Sequence, residues 1–190
     1  MIRRFEAQHP RIHREAYVDA AAVVIGDVGI GARSSVWPNA VIRGDVHSIV
    51  VGDESNIQDA SVLHVTHDSH YKPGGRGLVV GDRVTVGHHV TLHACTLESG
   101  CFVGIGCVVL DGAVIETGAM LGAGTLVTPG QRLAGGYLYL GSPARQARAL
   151  SAEERDYLVY SAEHYVRLAA RHAQTRLQIQ FEEAAAAMAP

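Results

Sequence analysis

A six-residue period in the aliphatic residues constrains the fold of this 190-residue chain more than any other feature. Aliphatic residues recur at Ile30, Val36 and Ile42, and the series resumes after short interruptions and runs to Val127. Gly often follows the aliphatic residue directly, and a small or β-branched residue stands four places after it, as Ser34 does after Ile30. A helix repeats about every 3.6 residues and a half-buried strand about every 2, so this period fits neither. Hexapeptide repeats are typical of β-solenoids, in which short strands turn corners and successive coils stack.

The pattern resembles that of the left-handed parallel β-helix, in which three hexads make one triangular coil. We therefore expect an all-β solenoid, a left-handed parallel β-helix of hexapeptide repeats, from about residue 12 to residue 130. Three extra residues at 47–49 and a stretch containing Pro and Gly at 68–78 interrupt the period, so both are expected to form loops. The period is expected to stop after Val127.

A single α-helix is expected after the solenoid. Ser151 and Glu154 have the spacing of a capping box, which marks a helix start. Apolar residues at helical spacing follow, namely Leu158, Ala162, Tyr165, Val166 and Ala169. We expect this helix to reach about residue 180 and to pack on the solenoid or on a neighbouring subunit. The sequence thus predicts a β-helix domain over residues 1–148 and a C-terminal helical region over residues 149–190.

Composition excludes some classes of function. The formal net charge is −3 and the isoelectric point is about 6.4, so the chain offers no basic surface for nucleic acid. No apolar run reaches the length of a membrane span, and the first residues lack the apolar segment of a secretion signal. We therefore expect no membrane partner and a cytoplasmic location. The three cysteines, Cys95, Cys101 and Cys107, contain no CxxC pair, which favours reduced and buried thiols.

Three histidines occupy matched places in the hexads. His64 and His93 each follow the first-face aliphatic residue of successive coils, so their side chains should point the same way at roughly the 4.8 Å spacing of neighbouring strands. His88 belongs to another face, in the column of Asp59, and a corner separates it from His93. Five extended residues span up to about 16 Å, so a neighbouring copy is better placed to bring His88 to the pair. His89 points elsewhere and is not expected to be a ligand.

Five motifs together resemble the γ-class carbonic anhydrases, and more narrowly their bacterial relatives. They are RGD at 43–45, NIQD at 56–59, VLHVTH at 62–67, GHHVTLHAC at 87–95 and GYLYLGSP at 136–143. The resemblance covers about residues 10 to 170. It implies a homotrimer with three metal ions, each bound between two subunits by His64 and His93 of one and His88 of the next. The metal implied is Zn²⁺, and Fe²⁺ or Co²⁺ would accept the same three imidazoles.

The same resemblance implies the reaction and the roles of other residues. Three neutral imidazoles would leave an open position on the cation, where a bound water would lose a proton near neutral pH. Carbonic anhydrase is itself the standard example of this lowered water pKa. The resulting hydroxide would attack CO2 to give bicarbonate. Gln58 would orient the bound solvent. Arg43, Asp45 and Asp59 would form ion pairs between subunits, with Arg43 near bicarbonate. Tyr139 is either a pocket residue or a packing residue.

The chain departs from the best-studied branch of that family in two places. Val46 stands where that branch has Glu after RGD, and the loop at 68–78 lacks the glutamate that serves there as proton shuttle. We expect His70 to take that role, with Asp68 or Tyr71 as alternatives, because an unperturbed imidazole titrates at about pH 6.5. Two other classes of function stay open. One is a hexapeptide-repeat acyltransferase or thioesterase-like enzyme, and the other is a non-catalytic, metal-binding trimeric scaffold.

Overall fold

The computed structural model describes the backbone of residues 1–187 and the side chains of residues 1–175. The strands are β1 (Ile2–Arg3), β2 (Arg11–Ile12), β3 (Tyr17–Val18), β4 (Val23–Ile30), β5 (Ser35–Val36), β6 (Val41–Val51), β7 (Asn56–Ile57), β8 (Val62–His64), β9 (Leu78–Val80), β10 (Thr85–Val86), β11 (Thr91–His93), β12 (Thr96–Leu97), β13 (Phe102–Val103), β14 (Val108–Val109), β15 (Val114–Ile115), β16 (Met120–Leu121), β17 (Leu126–Val127), β18 (Arg132–Leu133), β19 (Tyr137–Leu140) and β20 (Arg145–Ala149), and the helix is α1 (Ala152–Ala187). Neighbouring coils pair in parallel, and the predicted left-handed β-helix with one C-terminal helix is confirmed.

The strands form the three faces of a triangular solenoid. The first face contains β8, β11, β14 and β17, the second β9, β12, β15 and β18, and the third β3, β5, β7, β10, β13, β16 and β19. Strands β4 and β6 turn the corner between the first two faces, since β6 pairs with β8 at one end and with β9 at the other. The three extra residues predicted around 47–49 are present, but they form a bulge within β6 rather than a separate loop. Residues 47–49 lie within β6, and the register shifts there, because one residue of β4 but four residues of β6 stand between the Gly26–Gly44 pair and the Val28–Ile49 pair.

The periodic aliphatic residues fill the interior. Ile42, Leu63 and Leu92 are fully buried and stack in successive coils of the first face. Burial of such columns is the main favourable term for strands of two or three residues, which bury little area individually. Ser55 occupies one of the small positions, where its hydroxyl donates to the carbonyl oxygen of Gly81 at 2.7 Å. That bond offsets the cost of burying a hydroxyl group.

The three cysteines are free and buried, as the sequence predicts. Burial raises the pKa of Cys95 and of Cys101 to about 12, and it also raises the pKa of Cys107. The thiols are therefore protonated at neutral pH and behave as small core side chains.

The solenoid extends beyond both of its expected limits. Strand β1 already pairs in parallel with β4, and the six-residue period continues past Val127 to Leu133 and Tyr139. Both of these residues are buried, and each stands in register with the preceding coil. An aromatic residue fits the last aliphatic position because the Tyr139 hydroxyl donates to the carbonyl oxygen of Ala134 at 3.0 Å.

Helix α1 begins with the predicted capping box. The Ser151 amide donates to Oε2 of Glu154 at 2.9 Å, and the Glu154 amide donates to Oγ of Ser151 at 3.1 Å. The helix packs on the third face of its own solenoid, where the rings of Trp37 and Tyr165 lie 5.5 Å apart and Ala169 is buried. Within the described residues, no helix has the length and apolar character needed to cross a membrane. The division of the chain at residue 148 stays a prediction, and the end of its second region, residues 188–190, lies outside the described residues.

Candidate metal centre

His64 and His93 lie side by side on the first face. The parallel register of β8 and β11 places them directly opposite each other. Nδ1 of His64 is 3.3 Å from Nε2 of His93, and the ring centroids are 5.3 Å apart. Two nitrogen ligands of a tetrahedral zinc ion, each about 2.0–2.1 Å from the metal, are about 3.3–3.4 Å apart. The separation of these two ring nitrogens therefore fits a shared metal ion.

A carboxylate faces the other ring nitrogen of each histidine. Oδ1 of Asp45 lies 3.0 Å from Nε2 of His64, and Oδ2 of Asp111 lies 2.8 Å from Nδ1 of His93. An ionised carboxylate only accepts hydrogen bonds, so it favours the tautomer that carries the proton on the facing nitrogen. His64 Nδ1 and His93 Nε2 are thereby left as the unprotonated atoms that can bind a cation.

Both carboxyl groups have pKa values below their ordinary range. Burial raises the pKa of Asp45, but hydrogen bonds from Arg43 and His64 outweigh burial and lower it. Burial likewise raises the pKa of Asp111, and hydrogen bonds from Thr66 and from the facing imidazole outweigh it. Each group is therefore ionised at neutral pH and able to accept a hydrogen bond from its histidine.

His88 lies on the third face and does not join the pair within one chain. Its Nδ1 atom is 2.9 Å from Oδ2 of Asp59, and its side chain is 38% exposed. Asp59 stands one coil before His88 in the same column, as the hexad alignment predicts. Across the part of the chain with described side chains, no three His, Cys, Asp or Glu groups converge to hold a metal. One chain therefore brings together two of the three predicted ligands.

The other residues assigned from the motifs fall into separate environments. Gln58 is buried, and its amide nitrogen donates to Oδ1 of Asn56 at 3.0 Å, which fixes the orientation of the side chain. Arg43 pairs with Asp45 while its side chain remains 42% exposed. His89 adopts a left-handed backbone with φ of 57°, and it occupies the turn between two hexads.

Among the described contacts, neither His70 nor Tyr139 touches the His64 and His93 pair. His70 is exposed in the loop at 68–78, where its ring lies 5.0 Å from that of Tyr71. Tyr139 is part of the solenoid interior, and its hydroxyl is bonded to Ala134.

Asp111 is the residue of this site that the motifs did not reveal. It belongs to the coil after that of His93, since Val109 pairs with Leu92 across the two strands. The hexad register already places an acidic residue beside the histidine column, and that adjacency is the signal that could have identified it. Oδ1 of Asp111 also accepts a hydrogen bond from the Thr66 hydroxyl, at the base of the loop.

No family model matches the chain. Protein YrdA of Escherichia coli (strain K12) is 49% identical over 167 residues, which cover 88% of this chain and 91% of that protein. A protein of Methanocaldococcus jannaschii named "Probable carbonic anhydrase" is 43% identical over 157 residues, which cover 83% of this chain and 94% of that protein. The fold is similar to the crystal structure of a hexapeptide transferase family protein from Anaplasma phagocytophilum, with a TM-score of 0.82 and 40% sequence identity. The match covers 89% of this chain and 96% of that chain.

Proposed function

This chain belongs to the γ-carbonic-anhydrase-like family of hexapeptide-repeat proteins, and on that premise we propose that it catalyses the reversible hydration of CO2 to bicarbonate with bound Zn²⁺. One observation carries the proposal. The ring nitrogens of His64 and His93 lie 3.3 Å apart, and carboxylates face their other nitrogens. Histidines that bind a metal almost always donate their other ring N–H to a carboxylate, a backbone carbonyl or a water. Fe²⁺ or Co²⁺ would be accepted by the same nitrogen atoms.

We propose that the protein is a homotrimer in which His88 of a second copy completes each site. Catalytic zinc sites commonly have three protein ligands and an open position, and one chain supplies two of them side by side. His88 supports the proposal because its side chain is partly exposed while Asp59 fixes its ring. The outward side of the first face also includes apolar residues, among them Val62, which is 41% exposed. Contact between copies would cover that surface.

The residues around His64 and His93 would have separate roles in the reaction. A divalent cation held by three neutral imidazoles would supply Lewis acidity, which would make deprotonation of water possible near neutral pH. Asp45 and Asp111 hold protons on the distal nitrogens of the two imidazoles and so keep the ligand atoms unprotonated. Gln58, held by Asn56, would orient the attacking solvent. Arg43 would attract bicarbonate through its partly exposed guanidinium group.

Each hydration releases one proton, for which we propose His70 as the carrier to bulk solvent. Its imidazole is exposed in the loop that begins just after the His64 hexad. An imidazole can accept a proton at one ring nitrogen and pass it to buffer within the catalytic cycle. We further propose a cytoplasmic location, supported by three cysteines that are free and buried.

A hexapeptide-repeat acyltransferase or a thioesterase-like enzyme is the second candidate. The likeness to a structure described as a hexapeptide transferase family protein favours it. Such an acyltransferase needs a single histidine base, however, and it has no use for a pair of histidines held by Asp45 and Asp111. The carboxylate partners therefore favour the metal enzyme, or at least a metal-binding scaffold, over the transferase.

Metal analysis combined with hydration kinetics tests the proposal. We expect purified protein to contain about one metal ion per chain, since a trimer would hold three between its subunits. We expect stopped-flow assays with a pH indicator to detect CO2 hydration. His64→Ala should lose both metal and activity, whereas His89→Ala, the matched control, should keep both. Full metal content without hydration would favour the scaffold. Metal-free protein that transfers acetyl groups from acetyl-CoA would favour the acyltransferase.

A further inference from the structure

One carboxylate, that of Asp111, joins a candidate metal ligand to the base of the loop at 68–78. Its Oδ2 atom lies 2.8 Å from Nδ1 of His93, and its Oδ1 atom accepts a hydrogen bond from the Thr66 hydroxyl. Thr66 in turn pairs with Arg76 across the loop base. The Thr66 amide donates to the Arg76 carbonyl oxygen at 3.0 Å, and the Arg76 amide donates back at 2.9 Å. A short chain of contacts thus connects the imidazole of His93 to both ends of the loop.

The backbone around Asp111 is hydrogen-bonded to the coil before it and to the coil after it. The carbonyl oxygen of Asp111 accepts from the Gly130 amide at 2.9 Å, and the Gly112 amide donates to Ala94 at 2.8 Å. The guanidinium group of Arg76 covers Gly112 so closely that a Cβ atom there would lie 3.3 Å from the guanidinium carbon. The loop base therefore has two attachments to this coil, one through each end of the loop.

We propose that Asp111 is a positioning residue that acts through His93 and at the same time fixes the base of the loop. A neutral imidazole carries one proton, and a carboxylate facing Nδ1 keeps that proton there, so that Nε2 stays free and directed at His64. The same carboxylate fixes Thr66 and, through it, the segment that carries His70. The expected effect of Asp111 on metal affinity rests on the proposed metal function. Its expected effect on the tautomer of His93 does not depend on any metal.

Reciprocal coupling between the site and the loop follows. If the loop base stabilises the orientation of Asp111 that favours metal binding, then metal binding must stabilise the loop base by the same free energy. Zn²⁺ should therefore slow hydrogen exchange of the amides at Thr66 and Arg76 in the wild-type protein. In Asp111→Ala, Zn²⁺ should leave those exchange rates unchanged, because the link between the two elements is missing.

Three variants and one matched control test the inference in the full chain. Asp111→Ala should weaken Zn²⁺ binding about 10- to 100-fold in chelator competition, as loss of an outer partner typically does. Asp111→Asn should weaken it less, because an amide oxygen can still accept from Nδ1. Thr66→Val should speed exchange at the loop base but leave the His93 tautomer unchanged. The control is Asp53→Ala, which removes a carboxylate that accepts from the Ala32 amide at another corner, and it should leave Zn²⁺ affinity unchanged.

Nitrogen NMR of His93 in metal-free protein at alkaline pH separates the inference from the proposed function. The wild-type ring should carry its proton on Nδ1, and Asp111→Asn should increase the population with the proton on Nε2. A folded Asp111→Asn protein with unchanged tautomer and unchanged Zn²⁺ affinity would overturn the inference while leaving the metal function intact. Wild-type protein that binds no Zn²⁺ but shows the tautomer change would overturn the proposed function and support the positioning role.

Discussion

Nδ1 of His64 and Nε2 of His93 lie 3.3 Å apart although 29 positions separate the two residues in the chain. The strand ladder sets this relationship, since β8 and β11 pair in parallel with the two histidines opposite each other. A shift of one residue in that register would turn one imidazole into the solenoid interior. The geometry of the pair is thus fixed by the stacking of whole coils rather than by a flexible loop.

Subunit complementation provides a direct test of the shared site. We expect His88→Ala and His93→Ala proteins to bind no metal tightly when each is purified alone, because each lacks a ligand at every site. When the two are unfolded together in equal amounts and refolded, random cyclic trimers should regain about one quarter of the sites. Those sites combine an intact His64 and His93 pair from one chain with an intact His88 from the next.

The control for that experiment mixes His64→Ala with His93→Ala. Both substitutions then damage the same half of the site, so no arrangement of subunits restores it. Recovery of metal in the control mixture, or absence of recovery in the first mixture, would contradict a site divided between subunits. Metal content is measured on the separated trimer fraction.

The repeat made much of this structure predictable. The period placed Ile42, Leu63 and Leu92 in one column and His64 beside His93, because stacked coils of equal length keep their register over many turns. The capping box was equally readable, since Ser151 and Glu154 interact within one turn. Local and strictly periodic features need no knowledge of the tertiary structure.

Other features depended on contacts that no local pattern encodes. Asp111 faces His93 from the next coil, and its role follows from side-chain directions rather than from a motif. Tyr139 replaces an aliphatic residue in the core because a carbonyl oxygen happens to lie within reach of its hydroxyl. The extra residues near 47–49 are accommodated as a bulge within β6, where the pairing with β4 shifts between Gly44 and Ile49.

Tyr139→Phe should lower stability without affecting the site. Phe cannot make the partly buried hydrogen bond that the Tyr139 hydroxyl donates to Ala134, and the net contribution of such a bond to stability is typically about 1 kcal/mol. We expect a lower midpoint of unfolding in urea, with unchanged metal content and unchanged CO2 hydration. A Tyr139→Phe protein of wild-type stability with impaired hydration would instead favour a pocket role for the hydroxyl.

The cysteines should resist alkylation in the folded protein. Burial raises the pKa of Cys95 and Cys101 to about 12, so at pH values near 8 their thiols are protonated, and only the thiolate is a good nucleophile. Iodoacetamide should modify none of the three cysteines rapidly under native conditions and all three in denaturant, as counted by mass spectrometry. Rapid native labelling of Cys95 would contradict its burial in the core.

The helix cap should weaken in acid. Hydrogen bonds from Arg148, and then from Ser151, lower the pKa of Glu154 to about 2. The pKa of a glutamate carboxyl is about 4.3 in an unfolded chain. Because the pKa of Glu154 is lower in the folded protein, its ionised carboxylate contributes full stabilisation at pH values above about 4.3. This contribution is lost as the pH falls towards the folded-state pKa. Glu154→Gln should therefore lower the melting temperature at pH 7 but hardly at pH 2. Salt should reduce the difference at pH 7, because the pair lies at the surface. An equal difference at both pH values would argue against the ionised carboxylate.

The last prediction concerns the proton released by hydration. If His70 carries this proton, His70→Ala should reduce the turnover number at low buffer concentration. Added imidazole buffer should restore the turnover number, because a small diffusible base can accept the proton in place of the missing side chain. Metal content should stay unchanged, since His70 contacts Tyr71 rather than the histidine pair. His67→Ala is the matched control, as it removes another exposed imidazole from the same part of the chain. Turnover that depends neither on buffer nor on His70 would show that the proton leaves through other groups.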